Sequence, residues 1–329
     1  MTNKILLWLL ATVLLLTARP AEAQQPKKVP RIGYLATIGD PKSPPASVKV
    51  FQQGLRDLGY IEGKNILIEY RYSQGKQEQV PALVAELVQL RVDVLVVGAI
   101  PAIRAAKQAT KTIPIVMLSN VDPVAAGIVD SLAHPGGNIT GISRLGRELS
   151  GKRLELVREV VPKISRVAIL WDTNAEGAAI ALKEYEPAGH ALKIQLQALE
   201  VRGPNPDLEG AFRAAANKRA GALIAIRGAL LNRYPKQIAD LAIKHRLPLM
   251  CEGVDYVEAG GLMSYSDNAT ESLQRAAWYV DKILKGAKPA DLPVQQPMRF
   301  EFVINLKTAK QIGVTIPQWT LMKADKVIQ

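Results

Sequence analysis

Cysteine is almost missing from this chain, with one in 329 residues, and histidine is scarce at three. The single thiol, Cys251, has no partner in the chain, so a packed core and not disulfides must hold the fold. His134, His190 and His245 lie far apart, and neither H-x-x-x-H nor H-E-x-x-H occurs. The common zinc spacings are therefore absent, and neither a metal nor a cofactor is expected. No G-x-G-x-x-G follows a strand, so dinucleotide binding lacks its fingerprint. The segment Gly141-Ile142-Ser143-Arg144-Leu145-Gly146 has one residue too many for a G-x-S-x-G nucleophile elbow. The stretch from Gly59 to Lys64 has the wrong spacing for a phosphate loop and precedes a strand instead of a helix.

Charge of one sign is never concentrated. The net charge is +12, yet bases and acids alternate, as in Lys152-Arg153-Leu154-Glu155, and no run of five like charges occurs. That pattern points to solubility and attraction to anionic surfaces, and no nucleic-acid partner is expected. Long apolar runs are missing too, except one near the start. Lys4 precedes an apolar stretch at residues 5–16, and Ala21-Glu22-Ala23 supplies an A-x-A site. This is the pattern of a secretory signal peptide, because a membrane-spanning helix needs about 20 apolar residues. Cleavage is expected near Ala23, and no cysteine stands there to accept a lipid. The product should be an unanchored periplasmic protein.

Removing residues 1–23 leaves 306, enough for two cores. From Arg31 onward, short β-branched runs alternate with stretches of helical period, the grammar of βαβ units on parallel sheets. Strands are read at 32–36, 66–70, 92–97 and 115–118, with helices at 48–58 and 80–90 and one from Pro101. Pro135-Gly136-Gly137-Asn138 reads as a break. The pattern restarts after a helix at 149–160, with strands at 166–171, 193–201, 222–226, 248–251 and 262–265. The expected class is α/β, with two sequential Rossmann-like lobes whose loops after the strand C-termini form two facing rims.

Polar or glycine-bearing loops that lead into helices offer free N–H groups and partial positive charge to an anion. In the first lobe, the candidates for solute binding are Thr37, Gly98, Ile100, Asn120 and Asp122; in the second they are Asp172, Asn174, Arg227, Glu252 and Asp255. No catalytic residue is assigned. Asp122, Glu252 and Asp255 are the acids offered to an ammonium group, and Asp122, directly before Pro123, also suits a helix cap. Tyr34, Trp171, Tyr256 and Tyr265 lie in or beside strand ends, where they either pack the core or flank an apolar group of the solute.

Several blocks resemble a known family. They include Gln53-Gly54-Leu55-Arg56-Asp57-Leu58-Gly59-Tyr60, Asp122-Pro123-Val124, Pro135-Gly136-Gly137-Asn138-Ile139-Thr140-Gly141, Leu149-Ser150-Gly151-Lys152-Arg153-Leu154-Glu155-Leu156 and Val257-Glu258-Ala259-Gly260-Gly261-Leu262-Met263-Ser264-Tyr265. They are similar to ABC transporter substrate-binding proteins of the tryptophan/tyrosine type. The resemblance implies a type I periplasmic-binding-protein architecture, with a multi-strand hinge joining the lobes. It places residues 24–143 with about 262–298 in lobe 1, and about 144–261 with 299–329 in lobe 2. The implied function is a receptor, not an enzyme, and a monomer. It would close on a small solute, an amino acid or another carboxylate-bearing molecule, and deliver it to an ABC permease with its ATPase. The alternatives are an exported enzyme with a carboxylate-lined cleft and a periplasmic sensory module.

Overall fold

The computed structural model describes residues 28–143 and 146–329. The export pattern of residues 1–23 therefore lies outside the described residues. β1 (Arg31–Ala36), β2 (Leu67–Tyr72), β3 (Val94–Gly98), β4 (Ile115–Ser119) and β5 (Ile139–Ser143) form a parallel sheet in the order β2-β1-β3-β4-β5. β6 (Arg166–Asp172), β7 (Gln195–Val201), β8 (Ala222–Ala225), β9 (Leu249–Cys251) and β10 (Met263–Asp267) repeat that order as β7-β6-β8-β9-β10. β11 (Phe300–Asn305) and β12 (Lys326–Ile328) extend this second sheet to seven strands. The sheets are parallel except where β11 runs antiparallel to β10.

Apolar residues buried on both faces explain why these strands are near-continuous hydrophobic runs. In the first sheet, Ile32, Val94 and Val96 pack under α1 (Ala46–Asp57), while Leu35, Leu95 and Val97 face α2 (Val80–Gln89) and α3 (Ile100–Ala109). α9 (Ala269–Leu284) also lies on this sheet, against α1, where Gly54 leaves room for Ala277 and Gln274. The second lobe carries α4 (Gly146–Val160), α5 (Glu176–Leu192), α6 (Leu208–Asn217), α7 (Pro235–Lys244) and the short α8 (Val254–Glu258). One apolar cluster runs through both lobes, joining Ile100 and Ile103 of α3 to Ala178 and Tyr185 of α5.

The sequence pattern located most of these elements and missed others. β5 was hidden because its Gly141, at φ +137°, breaks the β-branched pattern. A side chain there would collide with the backbone of Met117 in β4, so the close strand approach requires glycine. α5 runs on to Leu192 through Pro187, which sits inside the helix.

The chain crosses between the sheets after β5, after β10 and before β11. These crossings lie side by side: the Ser143 N–H donates to Gln295 O at 2.9 Å, and the Asn268 N–H donates to Arg299 O at 3.1 Å. The crossing expected near Leu262 falls instead at Asn268. The whole of β10 hydrogen-bonds within the second sheet, and the chain returns to the first with α9, capped by the Asn268 side chain.

Candidate functional site

Two sheets of the same strand order place their switch points opposite each other, and a cleft of about 280 Å³ opens between them. The first lobe contributes the loop after β1, with Thr37 and Ile38, the turn after β3, with Gly98 and Ala99, and Ser119-Asn120 after β4. Arg227, Gly228 and Ala229, after β8, form the facing wall. Asp267 and Ile142, at the hinge crossings, line the same space. A smaller chamber of about 60 Å³ continues between the start of α3, including Ile100, and the start of α5. Asn120 and Arg227 line both spaces.

The walls are apolar with a few polar groups set among them, as in most small-molecule sites. Tyr34, Leu118, Ile142 and Leu273 supply apolar surface. Tyr34 is buried, which pushes its phenol up to about 12 and keeps it neutral. Asn120 Oδ1 is shielded from solvent and has no hydrogen-bond partner, so an acceptor stands ready between the lobes. Ala99 is held at φ +63°, ψ 147°, a conformation that a residue with a Cβ rarely adopts. It immediately precedes α3 and lines both chambers.

Arg227 is positioned from behind. Its backbone N–H donates to Glu252 Oε2 at 2.9 Å, and its guanidinium approaches Asp255 Oδ2 at 3.5 Å. Glu252 is itself buried: its Oε1 accepts from Arg153 Nη1 at 2.9 Å and from the Tyr185 hydroxyl at 2.8 Å. Arg153 Nε also donates to the Tyr265 carbonyl at 2.8 Å. Desolvation drives the Tyr185 phenol up, so it acts as a neutral donor to Glu252.

Of the residues singled out in the sequence, Thr37, Gly98, Asn120 and Arg227 meet at the main cleft, and Ile100 lines the chamber beside it. Glu252 lies one layer back, with its oxygens engaged by Arg153, Tyr185 and the Arg227 backbone. Asp255 reaches the cleft only through Arg227. Asp122, Asp172 and Asn174 are placed away from the cleft walls by local turn chemistry. Asp122 Oδ1 accepts the Val124 N–H at 2.9 Å and the Ala125 N–H at 3.4 Å. Asp172 is buried, its carboxyl is raised by desolvation, and its Oδ1 accepts the Asn174 N–H at 3.0 Å. Among the four aromatics, Tyr34 lines the cleft, whereas Tyr256 is core. Asp267 was missed: Ser266-Asp267-Asn268 carries no sequence signal beyond a strand end, and only the hinge crossing brings it to the cleft.

A family model described as ABC transporter substrate binding protein matches residues 36–328. The chain belongs to that family. A tyrosine-binding protein of Clostridioides difficile (strain R20291) is 26% identical over 290 residues, 88% of this chain and 82% of that one. A crystal structure of a conserved domain protein from Vibrio cholerae O1 biovar El Tor is 28% identical with a TM-score of 0.83, covering 91% of this chain and all (100%) of that one. The ABC domain from Streptococcus pneumoniae, in complex with L-Trp, is 26% identical with a TM-score of 0.79 over 90% of this chain and 100% of that one. The leucine-binding protein LivK of Thermotoga maritima, at 12% identity and a TM-score of 0.61, shares the fold alone, over 86% of this chain and 87% of its own. The architecture is the type I periplasmic-binding-protein fold. Among the described residues, no helix is long and apolar enough to cross a membrane.

Proposed function

We propose that this family member is an exported, periplasmic receptor of an ABC importer, which closes its lobes on an amino acid and presents it to a permease. The observation that carries this reading is that Arg227 and Asp267 line one cleft whose other walls are mostly apolar. A guanidinium suits a carboxylate and a carboxylate suits an ammonium, each charge-assisted hydrogen bond contributing about 1.5–3 kcal/mol. Thr37, Gly98, Ile100 and Asn120 would complete the contacts from the first lobe, so that a solute bridging both walls favours the closed state. The tyrosine and L-Trp named for two relatives support an amino acid as the solute class. The separate crossings beside Ser143, Asn268 and Gln295 support a hinge.

A thermal-shift screen of amino acids, short peptides, nucleosides and aromatic acids tests this. A ligand at 100 times its Kd adds about 2.7 kcal/mol to stability, a clear rise in melting temperature. A rise with one or more amino acids is expected. No rise with any of them, or turnover of the bound compound, overturns the reading.

A further inference from the structure

An ion pair joins α3 of the first lobe to α5 of the second, beside the smaller chamber. Arg104 turns its fork to Glu176: Nε donates to Oε1 at 3.1 Å and to Oε2 at 3.2 Å, and Nη2 donates to Oε1 at 2.6 Å. A planar guanidinium that meets both oxygens of one carboxylate fixes direction as well as distance. The same Nη2 donates to Ala126 O at 2.8 Å, in the loop after β4, so Arg104 is braced within its own lobe. One turn further along α3, Lys107 Nζ donates to Gly127 O at 3.0 Å and to Ile128 O at 2.8 Å, fastening the same loop. Glu176 opens α5, where a carboxylate also suits the partial positive charge of a helix start. Next to it, Gly177 is buried against the first lobe: a Cβ there would stand 3.5 Å from the Asn120 side chain and 3.8 Å from Ile100 Cγ1.

We propose that Arg104 and Glu176 form a clasp between the lobes, made on closure and broken on opening, which prolongs the closed state and slows escape of the solute. This rests on the two-lobe closure proposed above. Arg104 lines neither chamber and Glu176 lines only the smaller one, so the pair positions the lobes and does not read the solute in the main cleft. A rotation about the hinge crossings that parts the cleft walls also parts these helices, and contacts of 2.6–3.2 Å cannot survive it. In the open form each partner keeps the support of its own lobe, Arg104 on Ala126 O and Glu176 on the start of α5, so release strands neither charge. The side chains are 41% and 44% exposed, so water and salt screen the attraction. The closed state therefore gains about two- to fivefold in lifetime, the range of an exposed ion pair of good geometry. Such a clasp biases capture and still lets a permease reopen the lobes.

The test uses the empty protein, so it does not depend on naming the solute. Fluorescent dyes on Lys49→Cys in α1 and Arg213→Cys in α6 report the inter-lobe distance by single-molecule energy transfer, both sites being exposed, while buried Cys251 stays unlabelled. Arg104→Gln and Glu176→Gln are each expected to shorten the dwell in the closed state about two- to fivefold, and the double variant to shorten it no further. Raising salt from about 0.05 M to about 0.5 M should shorten the dwell of the otherwise unaltered chain and leave that of the double variant unchanged. Melting temperatures should stay together, since a contact between lobes is separate from the folding of each. Dwell times that ignore both substitutions, single effects that add in the double variant, or a melting temperature that falls with the dwell unchanged each overturn the proposal. So does an unaltered chain that never visits a closed state. A solute screen without hits leaves this result untouched, and loss of the clasp leaves the amino-acid reading standing.

Discussion

Arg153 and Glu252 meet at 2.9 Å with both side chains more than nine-tenths buried, and the second oxygen of Glu252 holds the backbone of Arg227. A helix that begins beside one hinge crossing is thereby tied to the wall of the cleft. The Arg153 bond to the Tyr265 carbonyl adds the strand that leads into the next crossing. The pair of charges buried in the core therefore also holds the wall of the cleft.

Glu252→Ala should lower unfolding free energy by about 3–5 kcal/mol, since it strands a buried guanidinium. Replacing both partners, Arg153→Met with Glu252→Leu, should recover most of that loss, because two apolar side chains need no desolvation of charge. Denaturant melts measure the first part. Calorimetric titration with the best amino acid of the thermal screen measures the second, and the double variant should still bind weakly, since nothing then anchors the Arg227 amide. Full recovery of binding would show that Glu252 only supports the core.

Arg227→Ala should weaken amino-acid binding by about 10- to 100-fold, the range of one charge-assisted hydrogen bond, while the empty protein melts within about 0.5 kcal/mol of its original stability. Its side chain is 30% exposed and its contact with Asp255 is long, at 3.5 Å, so little folding energy depends on it. Asp267→Asn should discriminate by ligand. An amino acid should lose affinity, whereas the matching carboxylic acid without an amino group should not. Equal losses for both compounds would remove Asp267 from the role of ammonium anchor.

Ala99→Gly should raise stability by about 1 kcal/mol. Releasing a Cβ from a positive φ recovers about 1–3 kcal/mol of strain, from which the greater flexibility of unfolded glycine subtracts about 0.5–1 kcal/mol. A thermal melt of the empty protein measures the gain. A melting temperature that falls would mean that the Ala99 methyl group packs favourably enough to outweigh the strain.

Much of the cleft was legible because its residues announce themselves locally. Thr37, Asn120 and Arg227 each follow a buried apolar strand and Gly98 ends one, and in a parallel sheet such positions share one rim. Asp122 and Asn174 sit in the same sequence context, yet their turns direct them elsewhere. Asp122 spends its carboxylate on the Val124 N–H, and the Asn174 N–H is tied to Asp172. An Asx residue that caps its own turn looks the same in sequence as one that awaits a ligand.

Hydrophobic period and strand-end chemistry determined the α/β class, the two successive lobes and most of their elements, because those depend on short-range pattern. Pairing across long separations was decided only in three dimensions. The antiparallel β10–β11 pair, the return of α9 to the first sheet and the placing of Asp267 and Arg227 around one cleft all join segments that share no local signal. The partner of Glu252 was decided there too, since Arg153 stands 99 residues away and its charge looks like any other on a helix surface until the helix packs. A sequence specifies which faces must be buried; only packing determines which charges are buried with them.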